Sequence, residues 1–175
     1  MVEQDLIKKI TAEVLAKMQD SAPESCQGDS GVFDTVDQAI SAARKAYEQL
    51  KILTKEKREE IIQTIRDAAY DNADTMAEMA VEESGMGRVS DKIIKNRLAA
   101  RKTPGTEDLT SEAWTGDCGL TLIEMGPYGV IGAITPTTNP TETVICNSIG
   151  MIAAGNAVFF SPHPSAKNTS LWTIK

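Results

Sequence analysis

Three cysteines, at positions 26, 118 and 146, are the strongest nucleophiles of this chain, and the setting of each argues against a catalytic thiolate. Cys146 is expected about two turns into a helix among Val144, Ile145 and Ile149, past the first-turn amides that lower a thiol's pKa and in surroundings that suit a small buried hydrophobe. Cys26 falls in a polar linker. Cys118 sits in a Gly-Asp-Cys-Gly turn, where the neighbouring carboxylate raises a thiol pKa. The three have no metal-ligand spacing and only one histidine could join them, so no metal site is expected and a reducing compartment is the reading. Glu82 and Glu83 are adjacent on an expected helix, and side chains about 100° apart do not converge on one atom. The lone histidine, His163, is held between Pro162 and Pro164 as a rigid turn residue, unlike a general base. That leaves Asn139, in Thr-Thr-Asn-Pro: a side-chain amide that could cap a helix, present its NH2 to a developing negative charge, or do both.

Such an amide needs a scaffold, and the stretch Tyr128 to Pro164 supplies one. Val130 to Ile134 is an apolar run suited to a buried strand, broken at Thr135-Pro136. Asn139-Pro140, with Glu142 three residues after the cap position, predicts a helix over roughly Thr141 to Ala154. Gly155-Asn156 ends it in the left-handed conformation, and Ala157 to Phe160 is a second strand. The unit is βαβ. Its crossover puts the loop after the first strand at the carboxyl edge of a parallel sheet, where ligands of open α/β folds bind.

GVIGAITPTTNPTETV and AAGNAVFFSPHPSAK, with VEESGMGRVSDKIIKN and KTPGTEDLTSEAWTGDCGLTLIEMGPYG upstream, resemble the aldehyde dehydrogenase superfamily. Within it they are similar to the CoA-acylating acetaldehyde/propionaldehyde dehydrogenases of bacterial microcompartments, from about Asp34 onward. The resemblance implies an α/β fold in which N-terminal helices precede the first part of a Rossmann-type parallel sheet, left incomplete because family members are longer and carry their nucleophilic cysteine in a second half. It implies that Asn139 is the oxyanion donor. It places Ile134, Thr135, Pro136 and Thr137 on the nicotinamide side of an NAD pocket, and Ser161, Pro162, His163 and Pro164 at the turn holding the adenosine ribose. Many relatives use a lysine and a glutamate in that turn; this chain has Ser161 and Pro164 instead, as the CoA-acylating branch tends to. No GxGxxG fingerprint occurs. Coenzyme A is implied as co-substrate and a small aldehyde as substrate.

The remaining segments position this unit or address it elsewhere. Val2 to Met18 places Leu6, Ile10, Val14 and Met18 at i+4 spacing, an amphipathic helix, and residues 19–33 form a linker rich in Ser, Gly and Pro. By the resemblance, residues 1–18 are a targeting peptide that docks on a microcompartment shell protein; packing on this protein's own surface or on a neighbouring subunit is the other reading. Helices are expected over Phe33 to Lys51, from a Thr54 cap with an interruption at Asp71-Asn72, and over Ser90 to Ala100 with Ile93, Ile94 and Leu98 inward. Met76, Met79 and Met86 read as core filling. Gly119 to Met125 reads as a strand, and by the resemblance residues 115–126 belong to the extension through which subunits pair, giving a homo-oligomer. Residues 34–175 then form a partial NAD-binding domain.

The 175 residues are 41% hydrophobic and 25% charged, an ordinary globular composition, and the net charge of −7 leaves no basic stripe for nucleic acid. No membrane span is expected, because Pro136, Asn139, Pro140, Asn147 and Asn156 interrupt the only long apolar stretch. The expected protein is the N-terminal portion of an NAD-dependent CoA-acylating aldehyde dehydrogenase of the cytoplasm and microcompartment lumen, inactive without its cysteine half. The alternatives are a non-catalytic fragment carried as cargo or paired with full-length subunits, and a free NAD-binding module.

Overall fold

A computed structural model describes residues 31–175; the expected helix at residues 1–18 and most of the linker lie outside the described residues. Four helices come first, α1 (Val36–Leu50), α2 (Lys55–Asp71), α3 (Ala73–Ser84) and α4 (Val89–Lys102). A 3₁₀ turn at Thr106–Asp108 leads to an antiparallel hairpin, β1 (Glu112–Gly116) and β2 (Gly119–Ile123). The βαβ unit follows as β3 (Val130–Thr135), α5 (Pro140–Ala153) and β4 (Ala157–Pro162), and the short helix α6 (Lys167–Ile174) completes the order.

The helix starts follow local chemistry. Thr35 forms a capping box with Gln38 ahead of α1, and the Thr54 hydroxyl accepts from the Lys57 N–H at 3.3 Å ahead of α2. Asn72 separates α2 from α3, and Gly85 stops α3 with φ of 67°. At the end of α5 the Gly155 N–H reaches the Ile152 carbonyl and the Asn156 N–H the Met151 carbonyl, with Gly155 at φ of 78°, the left-handed termination expected from Gly-Asn.

β3 and β4 pair in parallel with Val130 opposite Ala157 and Thr135 opposite Pro162. The pairing is clasped at its base: Asn156 Oδ1 accepts from the Gly129 N–H at 2.9 Å, and the Gly129 carbonyl accepts from the Ala157 N–H at 2.8 Å. The chief apolar cluster lies among α2, α3, α4 and α5, where Ile62, Met76, Ile145 and Ile149 meet Ala69, Ala99, Ala100 and Ala153. Alanines at these contacts allow close helix approach, and each fully buried aliphatic side chain contributes about 1.5–3 kcal/mol.

Charged side chains tie the helix ends together. Arg58 Nη1 donates to the Ala153 carbonyl at the end of α5, while Arg66 donates to the carbonyls of Ala100 and Thr103 at the end of α4, at distances from 2.6 to 2.7 Å. Orphan carbonyls of a helix terminus gain charge-assisted donors in this way.

Several expectations change. Ile94 and Leu98 of α4 are 66% and 57% exposed, and the helix instead buries Lys92, Asn96, Ala99 and Ala100. The apolar spacing pointed to the wrong face because α4 meets its neighbours through small and polar residues, Ala99 and Ala100 in the apolar cluster, Asn96 bonded to the Ala73 carbonyl and Lys92 to the Thr138 carbonyl. Met86 is exposed, whereas Met76 is core. The residues Glu112–Gly116, for which no strand was expected, pair with β2, and both strands are exposed along their length. Among the described residues no helix is long and apolar enough to cross a membrane.

Candidate functional site

β3 ends at Thr135, and the loop Pro136–Asn139 carries the chain into α5. Asn139 occupies the N-cap position, yet its side chain makes no capping hydrogen bond, and the box expected with Glu142 does not form. The sequence locates the helix start, and of the two tasks open to the amide, capping is not the one it performs. Asn139 Oδ1 instead accepts from the Lys95 ammonium on α4. An ammonium is donor-only, so the amide must face it with oxygen, which turns Nδ2 away. Nδ2 has no partner among the described residues.

Behind Asn139 lies a polar network that sequence reasoning missed. Lys92, 3% exposed, donates from Nζ to the Thr138 carbonyl at 2.9 Å, fixing the loop from below. Burial pushes the Lys92 pKa down, Glu142 pulls it back up and Lys95 lowers it further, with a net lowering. Lys95 Nζ also stands 3.2 Å from Glu142 Oε1, an ion pair whose acidic partner is almost wholly buried. The Thr141 hydroxyl lies 2.7 Å from Asn96 Oδ1 and 3.0 Å from Glu142 Oε2, and its single proton serves one acceptor at a time. Asn96 Nδ2 donates to the Ala73 carbonyl at 3.1 Å. The signal available in the sequence was the i, i+3, i+4 spacing of Lys92, Lys95 and Asn96, which shares one helical face.

The other expected site residues sit at the same carboxyl ends of the paired strands. Ile134 is 85% exposed, Pro136 is exposed, and Thr135 is buried. The hydroxyls of Thr135 and Thr137 are buried without a hydrogen-bond partner. On β4, Ser161 is exposed and Pro162 half-buried. The His163 N–H donates to the Thr135 carbonyl at 3.0 Å, joining the two strand ends, and His163 Nδ1 accepts from the Ser165 N–H at 3.1 Å. Among these residues Ile134, Pro136, Ser161 and His163 are exposed, whereas the two unpartnered threonine hydroxyls are shut off from the surface.

Neither described cysteine joins this site. Cys118 is exposed at the tip of the β1–β2 hairpin, and Cys146, in the second turn of α5, contacts the Thr103 hydroxyl at 3.1 Å. No group of three or more His, Cys, Asp or Glu side chains among the described residues could hold a metal ion.

Comparison with known proteins gives the context. The chain is 49% identical to an acetaldehyde dehydrogenase (acetylating) of Bilophila wadsworthia, across 99% of this chain and 38% of that protein. A propionaldehyde dehydrogenase from the fucose utilisation bacterial microcompartment of Clostridium phytofermentans superposes with a TM-score of 0.80 at 58% identity, covering 83% of this chain and 33% of that one. The Rhodopseudomonas palustris propionaldehyde dehydrogenase, with bound CoA and an acylated cysteine, gives a TM-score of 0.80 at 56% identity over 84% of this chain and 34% of that one. The chain thus spans about a third of the length of the relatives it matches. The family model for the aldehyde dehydrogenase family matches residues 5–175. With that match across nearly the whole chain, and with the likeness in fold to these dehydrogenases, this chain belongs to the aldehyde dehydrogenase family.

Proposed function

We propose that the chain is the N-terminal portion of an NAD-dependent CoA-acylating aldehyde dehydrogenase, which converts a small aldehyde, CoA and NAD into acyl-CoA and NADH. The observation that carries this reading is the side chain of Asn139, which stands at a helix start without capping it and has its oxygen taken by Lys95. A thiolate supplied from outside the described residues adds to the aldehyde carbon, and the former carbonyl oxygen gains negative charge. Asn139 Nδ2 donates to that oxygen, and a fixed amide does so without reorganising as the charge forms. Ile134, Thr135, Pro136 and Thr137 would hold the nicotinamide end of NAD, and Ser161, Pro162 and His163 the adenosine ribose. NAD, when bound, supplies the hydride acceptor. CoA then takes the acyl group from the thioester in a second step.

A relative found in a bacterial microcompartment supports the same setting for this chain. Residues 1–18 would dock on a shell protein in the lumen, and residues 115–126 would contribute to a homo-oligomer. The exposed hairpin favours the latter, since Trp114, Leu120 and Leu122 are 65%, 68% and 58% exposed and an apolar ribbon of that kind gains by being covered. The second reading is a non-catalytic piece carried as cargo or paired with full-length subunits.

The test is NADH formation by the complete gene product with acetaldehyde or propionaldehyde, with and without CoA. The expected result is CoA-dependent NADH formation that falls by about 10²–10³-fold in Asn139→Ala. Activity without CoA dependence, or unchanged by that substitution, overturns the reading. An intact mass equal to this chain alone, with no activity, selects the non-catalytic form.

A further inference from the structure

We infer that Lys95 is a positioning residue for the amide of Asn139, setting which end of that side chain meets the reacting oxygen; this rests on the oxyanion role proposed above for Asn139. Without a partner, a side-chain amide at a loop–helix junction can flip, and a flip would exchange its donor for an acceptor that repels an oxyanion. The Lys95 ammonium removes that freedom, because it offers only N–H groups and Asn139 can satisfy it only with Oδ1. The cation also draws electron density through the amide, which makes the opposite Nδ2 a better donor at the moment charge appears. Glu142 completes the device. Its carboxylate, 3.2 Å from the same Nζ and itself only 10% exposed in its side chain, holds the lysine in place and balances its charge. Lys95 is 48% exposed, so its replacement does not open a cavity in the core.

The lysine comes from α4 and the other two groups from the first turn of α5 and the residue before it, so the arrangement couples two helices at the site. Lys92, one turn back on α4, grips the Thr138 carbonyl and holds the loop backbone, a separate task from orienting the amide. Lys95 therefore acts on the direction of one side chain, and Lys92 on the path of the chain that bears it.

The experiment compares Lys95→Met, Lys95→Arg, Asn139→Ala and the Lys95→Met/Asn139→Ala pair in the complete gene product. The expected pattern is a kcat about tenfold lower in Lys95→Met with aldehyde KM unchanged, a smaller share of the loss a missing donor causes. Lys95→Arg, still a donor-only cation, should recover most of it. In the Asn139→Ala background Lys95→Met should add no further loss, since the lysine works only through that amide. In this chain, the side-chain amide NMR signals of Asn139 should shift in Lys95→Met and stay near their original place in Lys95→Arg. A Lys95→Met enzyme as active as the wild type, while Asn139→Ala is impaired, overturns the role of Lys95 and leaves the oxyanion reading standing. An unimpaired Asn139→Ala overturns both.

Discussion

Glu83 on α3 receives the backbone N–H groups of Asn168 and Thr169 at 2.9 and 2.7 Å, capping the start of α6 with a carboxylate from 85 residues earlier in the chain. The Thr169 hydroxyl donates to the same oxygen at 2.7 Å. A negative charge against the positive end of a helix dipole, satisfying two orphan N–H groups, is what fixes α6 to α3. Glu83→Gln should cost about 1 kcal/mol, read as a lower urea midpoint with unchanged slope.

The same carboxylate carries a pH signature. Burial works to raise the Glu83 pKa, and the hydrogen bonds from Thr169 and Asn168 outweigh it, leaving the group below the usual glutamate range. A carboxyl whose folded pKa is depressed binds fewer protons folded than unfolded between the two values. Its stabilisation is complete above the unfolded value and lost as pH falls through the folded one. Urea midpoints taken at neutral and acidic pH should fall with acidification, and fall less in Glu83→Gln, which has no such proton to bind.

Thr54 and Asn139 both precede helices, but only the Thr54 side chain caps one. Thr54→Ala should therefore cost about 1 kcal/mol of stability, and Asn139→Ala no more than about half of that. Equal losses would mean that Asn139 serves the helix rather than the chemistry. Urea unfolding of both variants decides it.

Asn96 is fully buried between helices, bonded to the Ala73 carbonyl on one side and the Thr141 hydroxyl on the other. Asn96→Ala should cost about 2–3 kcal/mol, because the packing of a fully buried side chain and its bond to the Ala73 carbonyl are both lost, while the Thr141 hydroxyl can still turn to Glu142 Oε2. That is comparable to Ile149→Ala in the apolar cluster, where truncation typically costs about 2–5 kcal/mol. Unfolding free energies of the two variants, measured side by side, test whether the polar contact is as structural as the apolar one.

The strand-loop-helix-strand unit was legible because its signals are local. A β-branched run, a proline at the first helical position and Gly155-Asn156 each act within a few residues, and each element forms within two residues of its expected ends. Position 139 could be read for the same reason. What the Asn139 side chain binds could not, because Lys95 lies 44 residues away on another helix. Ile94 and Leu98 misled for a related reason: α4 turns its alanines, Lys92 and Asn96 inward, so its larger apolar side chains do not mark the packed face. The long-range helix-capping role of Glu83 left no trace in spacing. The strand Glu112–Gly116 was missed because both faces of its hairpin are exposed, so no alternation marks it.

The clasp between Gly129 and Asn156–Ala157 reaches further than the two bonds it contains. Parallel strands have no tight turn to align them, and here the crossover spans a whole helix, so nothing nearby dictates which residue sits beside which. A slide of one position would send Thr135 outward and Ile134 inward, inverting every side chain presented at the strand tips. By pinning the first rung from outside the ladder, a single asparagine keeps that inversion from happening, and so determines from the opposite end of the sheet what an incoming ligand will touch.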